Sequence, residues 1–409
     1  MIRTGQAITV IGAGVAGLAV ARALSLQGAC VTLLEQAAAV TDIGAGIQIS
    51  PNGAAVITAL GLGPALAANS ITAQSVSLRD GLTDATVLSM DMTRDRTGRG
   101  FHLIHRADLI ALLRDGAVAA GVSIRLNQKV DRVDFSGKFP VVHRVDATTH
   151  STPILVGADG LHSQVRSAMN GTETAFFTHQ VAWRATITDA ADSPAMVEVH
   201  MAPGRHLVSY PLRGGTLRNI VAVEERGGWT AESWSLQDDP ANLRRAFASF
   251  SPKVRGWLDR VENPNLWGLF RHPVAEVWHK TTAEGGMAIL GDAAHPSLPF
   301  LAQGANMALE DAWCLAQCIA EYSTLYTAFA AYQGLRKHRT AAIVAAANTN
   351  ARAYHLTGAA RRLAHLGLRI GGRIAPNFAL GRFDWIYGHD VTRNENPPAN
   401  QANTSLSIF

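Results

Sequence analysis

The chain carries little cysteine. Cys30, Cys314 and Cys318 are the three present in 409 residues, too few for the disulfide framework of a small secreted fold. Cys314 and Cys318 lie four apart on a predicted helix, but no His or Cys set completes a zinc-type ligand group. They read as buried, apolar-like residues, and no metal is expected. Long apolar runs are missing as well. No uncharged apolar stretch reaches 18 residues, which excludes a transmembrane helix. The first apolar segment is interrupted by three glycines and Arg22 and lacks a small-residue cleavage site, so it does not read as a signal peptide. A reducing cytoplasm is the expected location. No Lys/Arg run is long enough for a nucleic-acid footprint. The formal net charge of +4 is spread along the chain. It reads either as ordinary surface charge or as a weak field that gathers an anionic nicotinamide cofactor or a carboxylate. Internal repeats and low-complexity tracts are absent. With 47% apolar and 17% charged residues, a globular chain with a large core remains, long enough for two domains.

Against that background two glycine-bearing segments stand out. Ala7 to Ile11 is a short β-branched run, followed by Gly12-Ala13-Gly14-Val15-Ala16-Gly17 and a helical Leu18 to Leu26. Val31 to Leu34 is a second strand that ends at Glu35. In this strand–turn–helix–strand setting Gly12 serves a tight turn, Gly14 close approach to a pyrophosphate, and Gly17 helix–strand packing. An acid at the end of the second strand suits a ribose hydroxyl. The other segment is GDAAHPSLPFLAQGANMALEDA, from Gly291 to Ala312. An apolar strand ends in Gly-Asp, Pro296 and Pro299 stiffen a loop, and Gly304-Ala305-Asn306 opens a helix. The positive end of that helix suits a flat ring that gains negative charge.

Between them the period changes. Residues 73–92 read as strands, Ile104 to about Ala120 as a helix, and 122–126, 129–134 and 154–156 as strands. Residues 180–225 alternate as antiparallel strands do, and helices follow at 239–250 and 252–261. The expected fold is α/β: a Rossmann-like nucleotide-binding fold assembled from discontinuous segments, with an inserted antiparallel β-sheet substrate domain and a C-terminal helical segment. The expected boundaries are 1–72, 98–178 and 280–325 for the nucleotide-binding domain, 73–97 and 179–279 for the sheet domain, 326–390 for the helical segment, and 391–409 for a flexible tail. Arg361 to Arg369 is basic and amphipathic. It packs on its own domain or a second subunit, or lies on a bilayer; no stable membrane association is expected.

Three motifs occur in order: the first glycine motif with Glu35, Gly157-Ala158-Asp159-Gly160 with Ser163 and Arg166, and Gly291-Asp292 with Pro296. In this the chain resembles the single-component, FAD-dependent aromatic hydroxylases of the para-hydroxybenzoate hydroxylase type, from residue 7 to about 390. Segments GAGIQISPN (44–52), HRADL (105–109), GRHLVSYPL (204–212) and Tyr387-Gly388-His389-Asp390 look most like salicylate 1-hydroxylase, 3-hydroxybenzoate 6-hydroxylase and 6-hydroxynicotinate 3-monooxygenase. The resemblance implies FAD as cofactor, NADH or NADPH as a transient co-substrate without a nucleotide fold of its own, and O2. It places Gly12, Gly14, Gly17, Glu35, Gln36 and Val130 at the ADP half of FAD, and Arg106 and Asp159 near the pyrophosphate. Asp292 falls on the ribityl chain, and Pro296, Gly304, Ala305 and Asn306 on the flavin ring.

The implied activity is hydroxylation of a phenolic aromatic acid through a flavin C4a-hydroperoxide. His206 and Tyr210 share a strand face and are the expected catalytic pair, with His206 as the base. Gln48, Arg184 and Pro299 join them as expected substrate contacts. His295 is a rival base by position, read instead as structural. The 6-hydroxynicotinate enzymes carry a His where this chain has Gln48, which cannot act as a base and favours a benzoate-type substrate. Attack at the carboxylate-bearing carbon would release carbon dioxide, and attack elsewhere would retain it; both remain open. So do larger quinone-precursor or polyketide substrates, 6-hydroxynicotinate, and a monomeric or homodimeric state.

Overall fold

The computed structural model describes residues 4–40, 45–95, 97–228, 236–374 and 378–393. Gly44 of the GAGIQISPN segment and the tail beyond residue 393 lie outside them. A six-stranded sheet runs in the order His279–Thr281, Gly286–Ile289, Ile154–Gly157, Ala7–Ile11, Cys30–Leu34, Ser123–Arg125. Its pairs are parallel except the first, which is antiparallel. Val10, Leu33, Leu155 and Val156 are fully buried. Such continuous apolar strands belong in a parallel sheet covered on both faces.

A seven-stranded sheet runs Asn265–Arg271, Phe176–Thr188, Leu217–Glu225, Arg205–Leu212, Met196–Ala202, Ser75–Asp80, Thr86–Asp91. Alternation divides its residues between two faces. Trp183, Leu207, Ile220 and Ala222 pack with Phe247 and Trp257, carried on and beside the helices Pro240–Ala246 and Pro252–Leu258. Ala182, Val223, Trp267 and Leu269 face the other way, onto Leu298 and Phe300 of the Gly291 loop. That second face carries the candidate residues Arg184, His206 and Tyr210.

The expected antiparallel sheet holds one parallel pair: Met196–Ala202 runs alongside Ser75–Asp80, with Val197 opposite Val76 and Val199 opposite Leu78. A parallel pair needs a long crossover, and the chain between the two strands supplies it. Ile104 and His105, read as a helix start, instead end the strand His102–His105; the helix is Arg106–Ala119, and His105 Nδ1 accepts the Ala107 N–H at 3.3 Å. The C-terminal helices are Leu325–Tyr354, Gly358–Ile374, Phe378–Gly381 and Asp384–Tyr387. The basic amphipathic segment sits on its own chain: Arg361 pairs with Asp80 at 2.7 Å, and Arg369 donates to the Thr86 carbonyl at 3.3 Å. Among the described residues no helix is long and apolar enough to cross a membrane.

Candidate functional site

Gly12 takes φ +98°, and a methyl there would sit 2.4 Å from the Ala158 carbonyl oxygen. A methyl on Gly17 would lie 1.8 Å from the Gly12 oxygen. Both glycines are therefore required by the protein's own packing. Gly14 differs: its φ of −75° is ordinary, and none of the described residues approaches within 4 Å of where its Cβ would stand. Open space before the N-terminus of the helix Val15–Leu26 is an anion cradle, and a pyrophosphate fits it. Glu35 directly follows the neighbouring strand, with its carboxylate oriented by two N–H groups, Ala13 at 2.7 Å and Ala37 at 2.8 Å. Gln36 is exposed beside it. The Glu35 carbonyl accepts the Gln128 N–H at 2.7 Å, which brings Val130 to the same edge.

Asp159 has a role of its own within the fold. Its oxygens accept from Ser163 Oγ at 2.6 Å and the Gln164 N–H at 2.8 Å, which caps the helix Gln164–Asn170. Burial pushes its carboxyl up, against the pull of these hydrogen bonds. From that helix Arg166 donates to the Ala293 carbonyl at 3.2 Å and the Pro273 carbonyl at 2.8 Å, so the second motif braces the third.

In the third motif the Asp292 side chain is solvent-accessible and takes no hydrogen bond from the described residues. The protein walls around it push its carboxyl up, while His295, Arg106 and His272 pull it down. Arg106, at the start of its helix, is thus brought to the same side as Asp292. A Cβ on Gly304 would stand 4.0 Å from Asp292 Oδ1. Gly304 opens the 18-residue helix Gly304–Glu321. Its first-turn amides, on Gly304, Ala305 and Asn306, have no preceding turn to bond; Met307 is the first to close back, onto the Gln303 carbonyl at 2.8 Å. Ala302, just before, takes φ +52°, a left-handed conformation that costs an alanine about 1 kcal/mol or more and is held by the surrounding loop. Pro296 is buried and Pro299 exposed. A carboxylate for ribityl hydroxyls and a row of amides for an anionic ring suit a flavin.

Beneath the loop lies a buried ionic lattice. Asp311 bonds His295 Nε2, the Gly291 N–H at 3.1 Å and Arg336 Nε at 2.8 Å. Glu310 pairs with Arg336 at 2.6 Å and Arg339 at 2.9 Å, and accepts from Asn52 at 2.6 Å. Burial alone would push both carboxyls up; His295 and Arg336 at Asp311, and Arg339 and Arg336 at Glu310, outweigh it and leave both below the ordinary range. Asn306 clamps the segment above, with Oδ1 on the Ser50 N–H at 3.0 Å and Nδ2 on the Gln48 carbonyl at 3.1 Å. His295, the rival base by position, is buried in this lattice and held by Asp311. Arg336 and Arg339 escaped the sequence reading, although two acids inside an apolar helix demanded partners.

The sheet registers place the remaining candidates on one face in three rows: His206–Val223–Ala182, Val208–Val221–Arg184, and Tyr210–Asn219–Thr186. His206 and Tyr210 share that face without touching; four residues of strand separate their Cα atoms by about 13 Å. Tyr210 hydrogen-bonds Gln48 and lies near Arg184, and burial pushes its phenol well up. A methyl on Gly46 would stand 2.6 Å from the Tyr210 ring, so this glycine is set by contact. Arg184 donates to the Gly46 carbonyl at 3.3 Å, and its guanidinium lies 4.9 Å from the Trp267 ring centre. His206 packs 5.6 Å from the Phe300 ring centre and 5.2 Å from Tyr354. Its Nδ1 is bonded to His355 Nε2 at 2.7 Å. Burial, then His355, holds the His206 imidazolium well below its ordinary pKa.

Comparison with known proteins converges on this geometry. The FAD binding domain family matches residues 6–347. The 3-amino-4-hydroxybenzoate 2-monooxygenase PtmB3 of Streptomyces platensis is 32% identical, covering 94% of this chain and 96% of its own length. The 3-hydroxybenzoate 6-hydroxylase of Klebsiella oxytoca is 31% identical, over 93% and 96%. The crystal structure of Klebsiella pneumoniae HpxO with FAD and uric acid shares the fold, with a TM-score of 0.79 at 23% identity, covering 90% of this chain and 94% of that one. A glycine cradle, an accessible carboxylate and a helix N-terminus, in a chain so related, identify it: the protein belongs to the FAD binding domain family and is a flavoprotein monooxygenase.

Proposed function

We propose that the enzyme hydroxylates a phenolic acid of the hydroxybenzoate class at a free ring carbon, so that the carboxylate is retained. The observation that carries this is the pairing, on one sheet face, of a buried neutral imidazole with a guanidinium. His206 and Arg184 lie two strands and two residues apart, about 12 Å between Cα atoms. That spacing leaves room for a benzoate ring with its hydroxyl toward His206 and its carboxylate toward Arg184.

Bound FAD, reduced by NADH or NADPH, supplies the oxygen-transfer chemistry with O2. The protein's residues do the rest. His206 accepts the phenol proton at Nε2, which makes the ring a better nucleophile; a positioned base of this kind contributes about 10²–10⁴-fold. Arg184 pairs with the carboxylate and fixes which carbon faces the flavin. Tyr210 and Gln48 hold the far side of the ring. Phe300, Leu298 and Trp267, buried together, keep water from the reacting edge. Both hydroxybenzoate relatives are named for oxygen insertion at ring position 2 or 6, which supports retention of the carboxylate. Free Cys30, exposed and unpaired, fits work in a reducing cytoplasm.

The test is oxidation of NADH and NADPH by the FAD-loaded protein with a panel of hydroxylated benzoates and the matching phenols, products read by mass spectrometry. One added oxygen with the carboxylate kept is expected. Loss of carbon dioxide would place the attack at carbon 1, and no stimulation by any panel acid would overturn the substrate class.

A further inference from the structure

We propose that His355 and Glu225 extend the base into a proton relay, His206–His355–Glu225, joining the buried phenol to solvent. The inference rests on His206 as the base and adds two residues to it. His206 Nδ1 lies 2.7 Å from His355 Nε2, and His355 Nδ1 lies 2.7 Å from Glu225 Oε1. The two imidazole centres are 4.9 Å apart. Accessibility rises in one step along the chain: the His355 side chain is 2% exposed and that of Glu225 51%. His206 is itself buried at 2%. The relay therefore starts dry and ends wet.

The backbone builds this arrangement at three places. Glu225 is the last residue of its strand, and its N–H closes the turn by bonding the Gly204 carbonyl at 2.9 Å. His206 follows that turn by two residues. His355 comes directly after the long helix Leu325–Tyr354, and its carbonyl accepts the Gly204 N–H at 3.4 Å.

The hydrogen bonds fix the tautomers. Ionised Glu225 accepts, so neutral His355 carries its proton on Nδ1 and accepts at Nε2. His206 must then donate from Nδ1, which leaves the lone pair on Nε2. That is the nitrogen without a partner among the described residues. The tyrosines facing the pair stay neutral near pH 7: Tyr354, whose phenol burial pushes up to about 12, Tyr387 behind it, and Tyr210 further along the strand. Arg184, two strands away on that face, is charged. Arg205 and Glu224 point to the opposite face and pair with each other at 2.9 Å.

The relay answers a difficulty that burial creates. An imidazolium left at His206 would be a charge in a dry site, which burial opposes. In the relay no ring keeps a charge. The phenol O–H breaks, leaving its electron pair on oxygen, and an N–H forms at His206 Nε2. His206 Nδ1 passes its proton to His355 Nε2. His355 Nδ1 passes its proton to Glu225 Oε1, which gives it to water. Both imidazoles end neutral as the other tautomer, and the reverse steps restore them when the product phenol is reprotonated.

The experiment compares FAD-loaded wild type, Glu225→Gln, Glu225→Asp and His355→Gln. Wild-type turnover on the acid panel is measured first. The acid that stimulates it most is then bound without NADH and subjected to a stopped-flow pH jump. The phenolate band and a pH-indicator dye are read together. Glu225→Gln changes a half-exposed side chain, keeps an acceptor for His355 and cannot take the proton. It and His355→Gln should slow phenolate formation and dye response at least tenfold, with KM changed less than twofold; Glu225→Asp should restore most of the rate. Wild-type transients in Glu225→Gln and His355→Gln would overturn the relay while leaving the hydroxybenzoate reading intact. If no panel acid stimulates the wild type, that reading fails and the relay falls with it.

Discussion

Replacing Gly14 with alanine separates cofactor binding from folding. The new methyl meets none of the described residues within 4 Å, at a φ of −75° that alanine adopts freely. Loss of unfolded-state freedom stabilises such a variant by about 0.4–1 kcal/mol. Gly14 is also the N-cap of its helix, where alanine is poorer by a similar amount, roughly 0.5–1 kcal/mol. The two nearly cancel, so the apo melting temperature should hold. The same methyl occupies the space through which a pyrophosphate reaches the first-turn amides. One to two charge-assisted hydrogen bonds at about 1.5–3 kcal/mol each are at stake, and a loss of about 2.7 kcal/mol is a hundredfold in Kd. With FAD at a thousand times the wild-type Kd, ligand stabilisation falls from about 4.1 to about 1.4 kcal/mol. For 409 residues the unfolding entropy is about 0.9 kcal/mol per degree. The FAD-induced rise in Tm should therefore drop from about 5 °C to under about 2 °C. Thermal melts of apo and FAD-loaded protein, with flavin fluorescence titration for Kd, measure both halves. Gly17→Ala is the contrast, because its methyl would meet the Gly12 oxygen at 1.8 Å and should lower the apo Tm itself. A Gly14→Ala variant with unchanged apo Tm and a full FAD shift would place the pyrophosphate elsewhere.

Arg184→Ala should raise KM for a hydroxybenzoate by about 10–150-fold, the value of roughly 1.5–3 kcal/mol for a charged hydrogen bond, and leave KM for the corresponding phenol nearly unchanged; equal effects on both would remove the carboxylate contact. His206→Ala should lower kcat on a phenolic acid by about 10²–10⁴-fold near neutral pH. Because burial lowers the folded pKa of His206, the wild-type acid limb of kcat should lie below pH 6.5, and a limb above it would contradict the assignment. Asp311 and Glu310 have folded pKa values below their unfolded ones. Their stabilisation is thus complete above about pH 4–5 and is lost as pH falls through the folded values. Asp311→Asn should cost about 3–5 kcal/mol at pH 7 and flatten the acid slope of urea-denaturation free energy; an unchanged slope would show that the lattice does not set it.

What could be read in advance follows from how local each constraint is. Gly12 and Gly17 of the first motif are dictated by atoms of the same turn and its neighbouring strand, so their spacing announces them. Period-two alternation is enough to put His206 and Tyr210 on one face. It cannot say what lies between them, and the structure sends Tyr210 to Gly46 and Gln48 and His206 to Phe300 and His355. The acid of Gly157-Ala158-Asp159-Gly160 fits a cofactor contact and a helix cap equally well in sequence; only the positions of Ser163 and Gln164 reveal the cap. Arg336 and Arg339 lie 25 and 29 residues from the acids they neutralise. His355 and Glu225 are 130 residues apart and meet through the packing of a helix end on a sheet corner. No window of sequence contains such a pair.

The order of the six-stranded sheet has a consequence for synthesis. Ala7–Ile11 is made first, but one of its neighbours, Ile154–Gly157, comes about 145 residues later, and Gly286–Ile289 later still. At ~5–20 residues per second, an apolar strand keeps an unpaired edge for roughly 7–30 s while the ribosome works. Its other edge is closed early by Cys30–Leu34, leaving a single sticky side on a nascent chain. The helix N-terminus at Gly304 emerges later again, so the set of residues suited to the flavin is completed only after most of the chain has been made. A chaperone that shields one strand edge during this interval would raise the yield of active enzyme more than one acting after release.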